Sequence, residues 1–407
     1  MTSTVDADVS ARPARVAQLE SLTSLRFFAA LSVVLTHTSW MATTNSAVKG
    51  VFDLGYVGVS FFFVLSGFVL TWSMSPTRTR RRFYFLRFAR IWPLHAVTTA
   101  YVALLVAEKF WIPQGSGIAA IVTATQAFST KNHTYYGLNG VSWSLSCEAF
   151  FYLLFPFVVA LLLGRGTRLL ATIAVVDVLA MLCIPLVSYT LSGPHGWASQ
   201  HGEWLFFINP TFRFGEFLLG VAVGCCFRAG WRPRMSLASA LTYCFSTAAV
   251  ICWLRVSHNV HTPRPYAAAL LAPWFALVIA TAASNDVTRR PTVLRHRILV
   301  FLGEASFALY LTHQIVQRSY DWTALGSGAP HPAFRFWAVY FSAALVVASL
   351  THLLIEQPAE RWLRRRQVGL RRASAGQEIP VENVGLTEQI ASPVMGADPV
   401  HPTRSRS

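Results

Sequence analysis

Apolar residues gather in ten runs, near 22–40, 51–72, 91–108, 141–163, 169–192, 204–227, 236–256, 266–284, 298–318 and 334–356. Each run is about 20 residues long, the length that carries an α-helix across the hydrocarbon core of a bilayer. The pattern predicts an all-α, polytopic integral membrane protein with about ten transmembrane helices. The polar stretches between the runs test that count. With the N-terminus on the cytoplasmic side, segments 1–21, 78–90, 164–168, 228–234, 289–297 and 361–372 hold 23 of the 34 Lys and Arg. The opposite loops hold only Lys49, Lys109, Lys131 and Arg264. Basic residues are retained on the cytoplasmic face, so the alternation places both termini there.

Composition agrees. The chain is 54% hydrophobic and only 13% charged, against about 25% charged residues in an ordinary soluble domain. A net charge of +16 would otherwise suggest nucleic acid, but the basic clusters sit between apolar runs, where they set topology. Residues 1–20 form a polar N-terminal tail without the apolar core of a signal peptide. Residues 21–366 form the membrane domain. Residues 367–407, rich in polar residues, Gly and Pro, read as a disordered cytoplasmic tail. The six cysteines, at 147, 183, 225, 226, 244 and 252, lie in or beside apolar segments with no metal-ligand spacing and read as small buried residues. No bound cofactor and no metal are expected. There is no clear internal repeat of the kind that builds many transporters.

Candidate chemistry lies where ionisable residues interrupt the apolar runs, because such groups are costly in hydrocarbon unless they face protein or water. Arg26 and His37 are separated by ten residues in the first run. Eleven helical steps bring them within about 20° of one face and set them about 16 Å apart along the axis. Arg87 and Arg90 lie three apart at the cytoplasmic entry to the third helix. With Arg26 they would suit a ligand bearing several phosphates; the alternative is contact with lipid headgroups, the favoured reading for Arg78 to Arg82. Glu148, entering from the other face, comes to a depth similar to His37 and is expected to hold its imidazole in one tautomer. Arg213 and Glu216, three apart, can neutralise each other. Glu304 and His313 are further candidates; Asp177 and His95 are weaker ones. The small residues of Gly55–Ser60 and Leu65–Phe68 suit close helix packing.

These residues resemble a known family. Leu25-Arg26-Phe27-Phe28-Ala29-Ala30 leading to His37 resembles the arginine, ten residues, histidine signature of the membrane acyltransferase-3 family. Further blocks follow in order: Gly58–Phe68, Arg87-Phe88-Ala89-Arg90-Ile91-Trp92-Pro93, Trp143–Glu148 with Phe150–Tyr152, Leu302–His313 and Ile355-Glu356-Gln357-Pro358. The resemblance implies a ten-helix core that transfers an acyl group from a CoA thioester to a hydroxyl, usually on a sugar or another secreted or natural-product molecule. It marks Arg26, His37, Arg87 and Arg90 as important for activity and gives Glu304 no role. Many relatives add an extracytoplasmic hydrolase-like domain that this sequence lacks. The bare core and its Arg- and Ala-rich composition look most like actinobacterial members that acylate macrolide antibiotics.

The expected mechanism has acyl-CoA, as co-substrate, enter from the cytoplasmic side, its phosphates held by Arg87, Arg90 and Arg26. Neutral His37 then deprotonates the acceptor hydroxyl as it attacks the thioester, with Glu148 steadying the imidazolium. No serine or cysteine lies in a nucleophile elbow, so direct transfer is favoured over an acyl-enzyme. The alternative is a proton-coupled transporter of a hydrophobic metabolite, with His37 and Glu148 as its relay.

Overall fold

The computed structural model describes residues 19–42, 46–75, 79–105, 110, 112–197, 200–257, 264–319 and 334–374. Of the expected tails at 1–20 and 367–407, residues 1–18 and 375–407 lie outside the described residues. In chain order the helices are α1 (Glu20–Ala42), α2 (Ser46–Asp53), α3 (Gly58–Trp72), α4 (Arg80–Leu105), α5 (Ser116–Val122), α6 (Asn132–Tyr135), α7 (Trp143–Leu162) and α8 (Thr167–Trp197). They continue as α9 (Gln200–Glu203), α10 (Pro210–Arg228), α11 (Leu237–Ser257), α12 (Arg264–Val287), α13 (Arg297–Glu304), α14 (Ser306–Ser319), α15 (Phe334–Thr351) and α16 (Gln357–Ser374). The chain divides into a main unit, residues 1–364, and a C-terminal unit, residues 365–407, whose described part is the end of α16. α16 continues to Ser374.

Among the described residues, seven helical segments are long and apolar enough to cross a membrane, and the pair α13–α14, bent by 62°, makes an eighth. The other two expected spans correspond to α1 and α4, helices of 23 and 26 residues. Polar side chains, among them Arg26, His37, Arg87, Arg90 and His95, lower the hydropathy of these two helices. The two helices least like ordinary spans carry four of the five candidate residues, Glu148 on α7 being the exception.

α3 and α10 cross almost in backbone contact. A Cβ on Gly220 would run into the Val64 carbonyl, and one on Gly67 into the Phe217 carbonyl. Small residues permit this approach, which supplies dispersion contacts that apolar lipid cannot drive by hydrophobic burial. Replacing Gly220 with Leu is expected to cost about 1–3 kcal/mol by overpacking. Thermal unfolding in detergent should show the loss as a lower midpoint.

α1 is tied down at its N-terminal end. The Ser21 amide donates to Asp286 Oδ2 at 2.9 Å and its hydroxyl to Oδ1 at 2.6 Å, so the end of α12 satisfies part of the exposed first turn of α1. α1 also packs against α13, where Gly303 leaves no room for a side chain beside Thr23.

The segment before α7 folds inward. Gln126, Asn139 and Ser142 are buried. Gln126 Nε2 donates to Ser142 Oγ at 3.1 Å, and Ser146 Oγ donates to Gln126 Oε1 at 2.8 Å. Asn139 Nδ2 donates to the Leu311 carbonyl at 2.8 Å. Non-helical backbone of this kind is tolerated at membrane depth only inside protein. α7 consequently starts deep within the bundle.

Candidate active site

Parts of α1, α3, α4, α7 and α14 line a partly open cavity of about 130 Å³. Its polar wall carries Arg26, Arg87, Arg90 and Glu148; Phe62, Leu65, Val69 and Phe307 are among its apolar lining. Three of the five residues singled out from sequence as ligand-binding or catalytic are therefore its guanidinium groups, and a fourth, Glu148, is its carboxylate. Arg87 and Arg90 share a face of α4, as three-residue spacing requires. The Arg87 guanidinium lies 5.9 Å from the Tyr152 ring centroid, and Tyr152 Oη donates to Glu148 Oε2 at 3.2 Å. Arg90 Nη1 stands 3.5 Å from both Glu356 and Glu360, and its guanidinium lies 6.0 Å from the Phe307 ring.

Glu356 comes from a π-helical turn, His352–Glu356, that joins α15 to α16. The turn directs both terminal residues inward: His352 Nδ1 lies 2.8 Å from Glu356 Oε2, with each residue 3% exposed. π turns often mark functional sites. Sequence reasoning quoted the Glu356 block but gave it no role. The i, i+4 spacing of His352 and Glu356, just before Pro358, was the available signal.

His37 lies on the same helix as Arg26 but does not line this cavity. His37 Nδ1 stands 2.9 Å from the Val33 carbonyl oxygen and 3.1 Å from His313 Nε2. The two rings are 5.0 Å apart and inclined at 46°. His313 Nδ1 lies 3.1 Å from the Leu309 carbonyl oxygen. Gln317 Nε2 donates to the His37 carbonyl at 2.7 Å, and Tyr340 Oη donates to the His313 carbonyl at 3.2 Å. Tyr310, His313, Gln314 and Gln317 make a polar stripe along α14, at the spacing of one helical face. Tyr310 lines the arginine cavity while His313 meets His37, so the stripe runs from one centre to the other.

Glu148 corrects the depth expected from sequence. It shares its cavity with Arg26, and the positive charges facing it are Arg26, Arg90 and Arg87. The reason is the inward-folded segment before α7. Counting height from a surface start of that helix put Glu148 level with His37; the true start is deep, and the second turn of α7 reaches the level of Arg26. The imidazole next to His37 belongs to His313, and the hydrogen bond to Glu148 comes from Tyr152.

The remaining candidates divide clearly. Arg213 and Glu216 form a buried pair at 3.0 Å, and Arg213 Nη2 also donates to Ser60 Oγ at 3.2 Å. His95 is buried with Nε2 2.8 Å from the Ile121 carbonyl oxygen, a structural contact. Glu304 is exposed at the bend between α13 and α14. Asp177 packs beside Gly215 of α10. Arg80, Arg81 and Arg82 are exposed, as headgroup contacts would be, and Arg78 lies outside the described residues.

Comparison with known sequences adds independent information. The family described as Acyltransferase domain matches residues 19–354. Acyltransferase MdmB of Streptomyces mycarofaciens is 33% identical over 395 residues, covering 90% of this chain and 98% of that protein. Nodulation protein 10 of Rhizobium leguminosarum bv. viciae is 28% identical, covering 82% of this chain and 91% of its own length. Peptidoglycan O-acetyltransferase OatA of Listeria monocytogenes is 21% identical, over 84% of this chain and 56% of its own length. No solved structure matches the chain.

Proposed function

Because the chain belongs to the acyltransferase-3 family of multi-pass membrane proteins, we propose that it moves an acyl group from acyl-CoA to a hydroxyl of a sugar or macrolide-type natural product. The observation that carries this reading is the division of α1 between two centres. Arg26 stands in a cavity with two more arginines, and His37 stands beside His313 about 16 Å further along the helix.

Acyl-CoA is long, polyanionic at one end and reactive at the other. Guanidinium groups bind phosphate through paired, charge-assisted hydrogen bonds, which suits Arg26, Arg87 and Arg90 to the nucleotide end. The apolar wall around Phe62, Leu65 and Val69 suits the pantetheine arm, and the polar stripe of α14 offers partners for its amides on the way to His37. His37 acts as general base towards the acceptor hydroxyl. Glu148 and Glu356 balance the arginines; neither is assigned to the chemical step. Cytoplasmic entry of the donor follows from the charge bias of the loops around Arg87 and Arg90.

Relatives named as O-acetyltransferases support a hydroxyl acceptor. The resemblance to actinobacterial members, together with the near end-to-end match to a Streptomyces acyltransferase, supports a macrolide-type one.

A pair of donors tests the arginine cavity. In membranes containing Arg87→Gln, KM for acyl-CoA should rise about 10- to 100-fold, the worth of one charged hydrogen bond. A short thioester such as an acyl-N-acetylcysteamine, which has no phosphates, should be used equally by wild type and variant. An equal loss with both donors would show that Arg87 does not hold phosphate.

A further inference from the structure

Resting on His37 as the base, we infer that His313 is a positioning residue that fixes the tautomer of His37 and takes up its charge, the part expected of a carboxylate. Among the described residues, the hydrogen bonds of the two rings favour one neutral arrangement. Both Nδ1 atoms face backbone carbonyl oxygens, Val33 for His37 and Leu309 for His313. Carbonyl oxygens only accept, so each neutral ring carries its proton on Nδ1. His313 Nε2 is then a lone-pair acceptor, and the His37 Nδ1–H is shared between it and the Val33 carbonyl. The reverse arrangement, with His313 Nε2 donating to His37 Nδ1, would set two bare nitrogens against two carbonyl oxygens. With Nδ1 protonated, the lone pair of His37 is on Nε2, the nitrogen that must act as base.

The step balances. The acceptor O–H breaks, its proton passes to His37 Nε2, and the oxygen electron pair forms the C–O bond to the thioester carbon. The tetrahedral adduct collapses, the C–S bond breaks, and the thiolate takes the proton back from Nε2. Between these events His37 is an imidazolium, and its Nδ1–H bond to neutral His313 becomes charge-assisted. The charged groups facing His37 are Arg264 of α12 and Arg318 of α14, both unfavourable to a second positive charge. Among the described residues, Tyr310, with its ring 6.2 Å from that of His313, and Tyr340 are the other titratable neighbours. An acceptor at Nδ1 therefore carries weight in forming the imidazolium.

The test uses full-length protein in nanodiscs with His313→Phe and His313→Gln. His313→Phe removes the acceptor, so kcat should fall about 10- to 100-fold, one charged hydrogen bond, with both KM values unchanged. The acidic limb of the pH–rate profile should move to lower pH, because the imidazolium loses a stabilising partner. His313→Gln supplies an amide oxygen in reach of Nδ1–H and should recover at least tenfold over the Phe variant. Nitrogen-15 spectra of histidine-labelled protein, assigned by difference against His37 and His313 variants, read the tautomers without turnover; Nδ1–H at both positions is expected. Wild-type kcat and pH profile in His313→Phe, no recovery by Gln, or Nε2–H at either ring would overturn the inference. Full transfer by His37→Ala would instead overturn the base assignment on which it rests.

Discussion

Membranes carrying His37→Ala are expected to transfer acyl groups about 10² to 10⁴ times more slowly than wild type, the range a positioned general base contributes. The loss should fall on kcat. The donor phosphates are proposed to bind about 16 Å away at Arg26, so binding of acyl-CoA should survive. The assay offers labelled acyl-CoA with a panel of sugars and macrolides, at matched protein level. Loss of CoA-dependent acylation with donor affinity intact identifies His37 with the chemistry. Equal loss of donor binding would mean that the substitution disturbed α1, whose Ser32 and Thr36 donate to the Gly55 and Phe52 carbonyls. Movement of a metabolite across the membrane with no dependence on a donor would favour the transporter reading instead.

A second large effect concerns stability. Arg213 and Glu216 of α10 are 1% and 2% exposed, where α10 meets Ser60 of α3, so an unpaired charge there is costly. Arg213→Met alone should destabilise the protein by about 3–5 kcal/mol, because the Glu216 carboxylate is left buried without its partner. The double variant Arg213→Met/Glu216→Leu removes both charges and should recover most of that loss, as buried pairs replaced together by apolar residues often do. Thermal unfolding of purified protein in one detergent reads the cycle. A double variant as unstable as the single one would show that Arg213 acts through Ser60 and the aromatic rings of Phe63 and Phe207 and not through charge balance.

Span positions and the polar residues that interrupt them were legible in the sequence, because hydropathy period and ion burial are local properties. Arg26, Arg87 and Arg90 could be grouped at one height on those grounds, and the structure brings them to one cavity. Two things were not legible. The depth of Glu148 depends on how residues 113–142 fold, and their tertiary hydrogen bonds, such as Asn139 to the Leu311 carbonyl, leave no periodic trace. The meeting of His37 with His313 requires α1 and α14 to be neighbours, and no property of either helix alone says so. His313 was visible as a candidate, but the partner it faces was not. Glu356 was missed for a related reason: its i, i+4 spacing from His352 was visible, but its approach to Arg90 depends on how the π turn between α15 and α16 packs against α4.

α1 can also be regarded as a ruler with two marks. Both marks are cut into one continuous helix, whose rise of about 1.5 Å per residue does not stretch. Adding one residue between Arg26 and His37 would shift the second mark only slightly in height but turn it by about 100°, off the face that meets α14. Adding a full turn would restore the face and lengthen the rule by about 5.4 Å. The separation is thus bound by angle as well as by length, and on the proposed function what it would gauge is the arm of a CoA donor between phosphate and thioester. Selectivity for that arm would then reside in α1 itself, while selectivity for the acyl group and the acceptor would be left to side chains that can change without touching the scale.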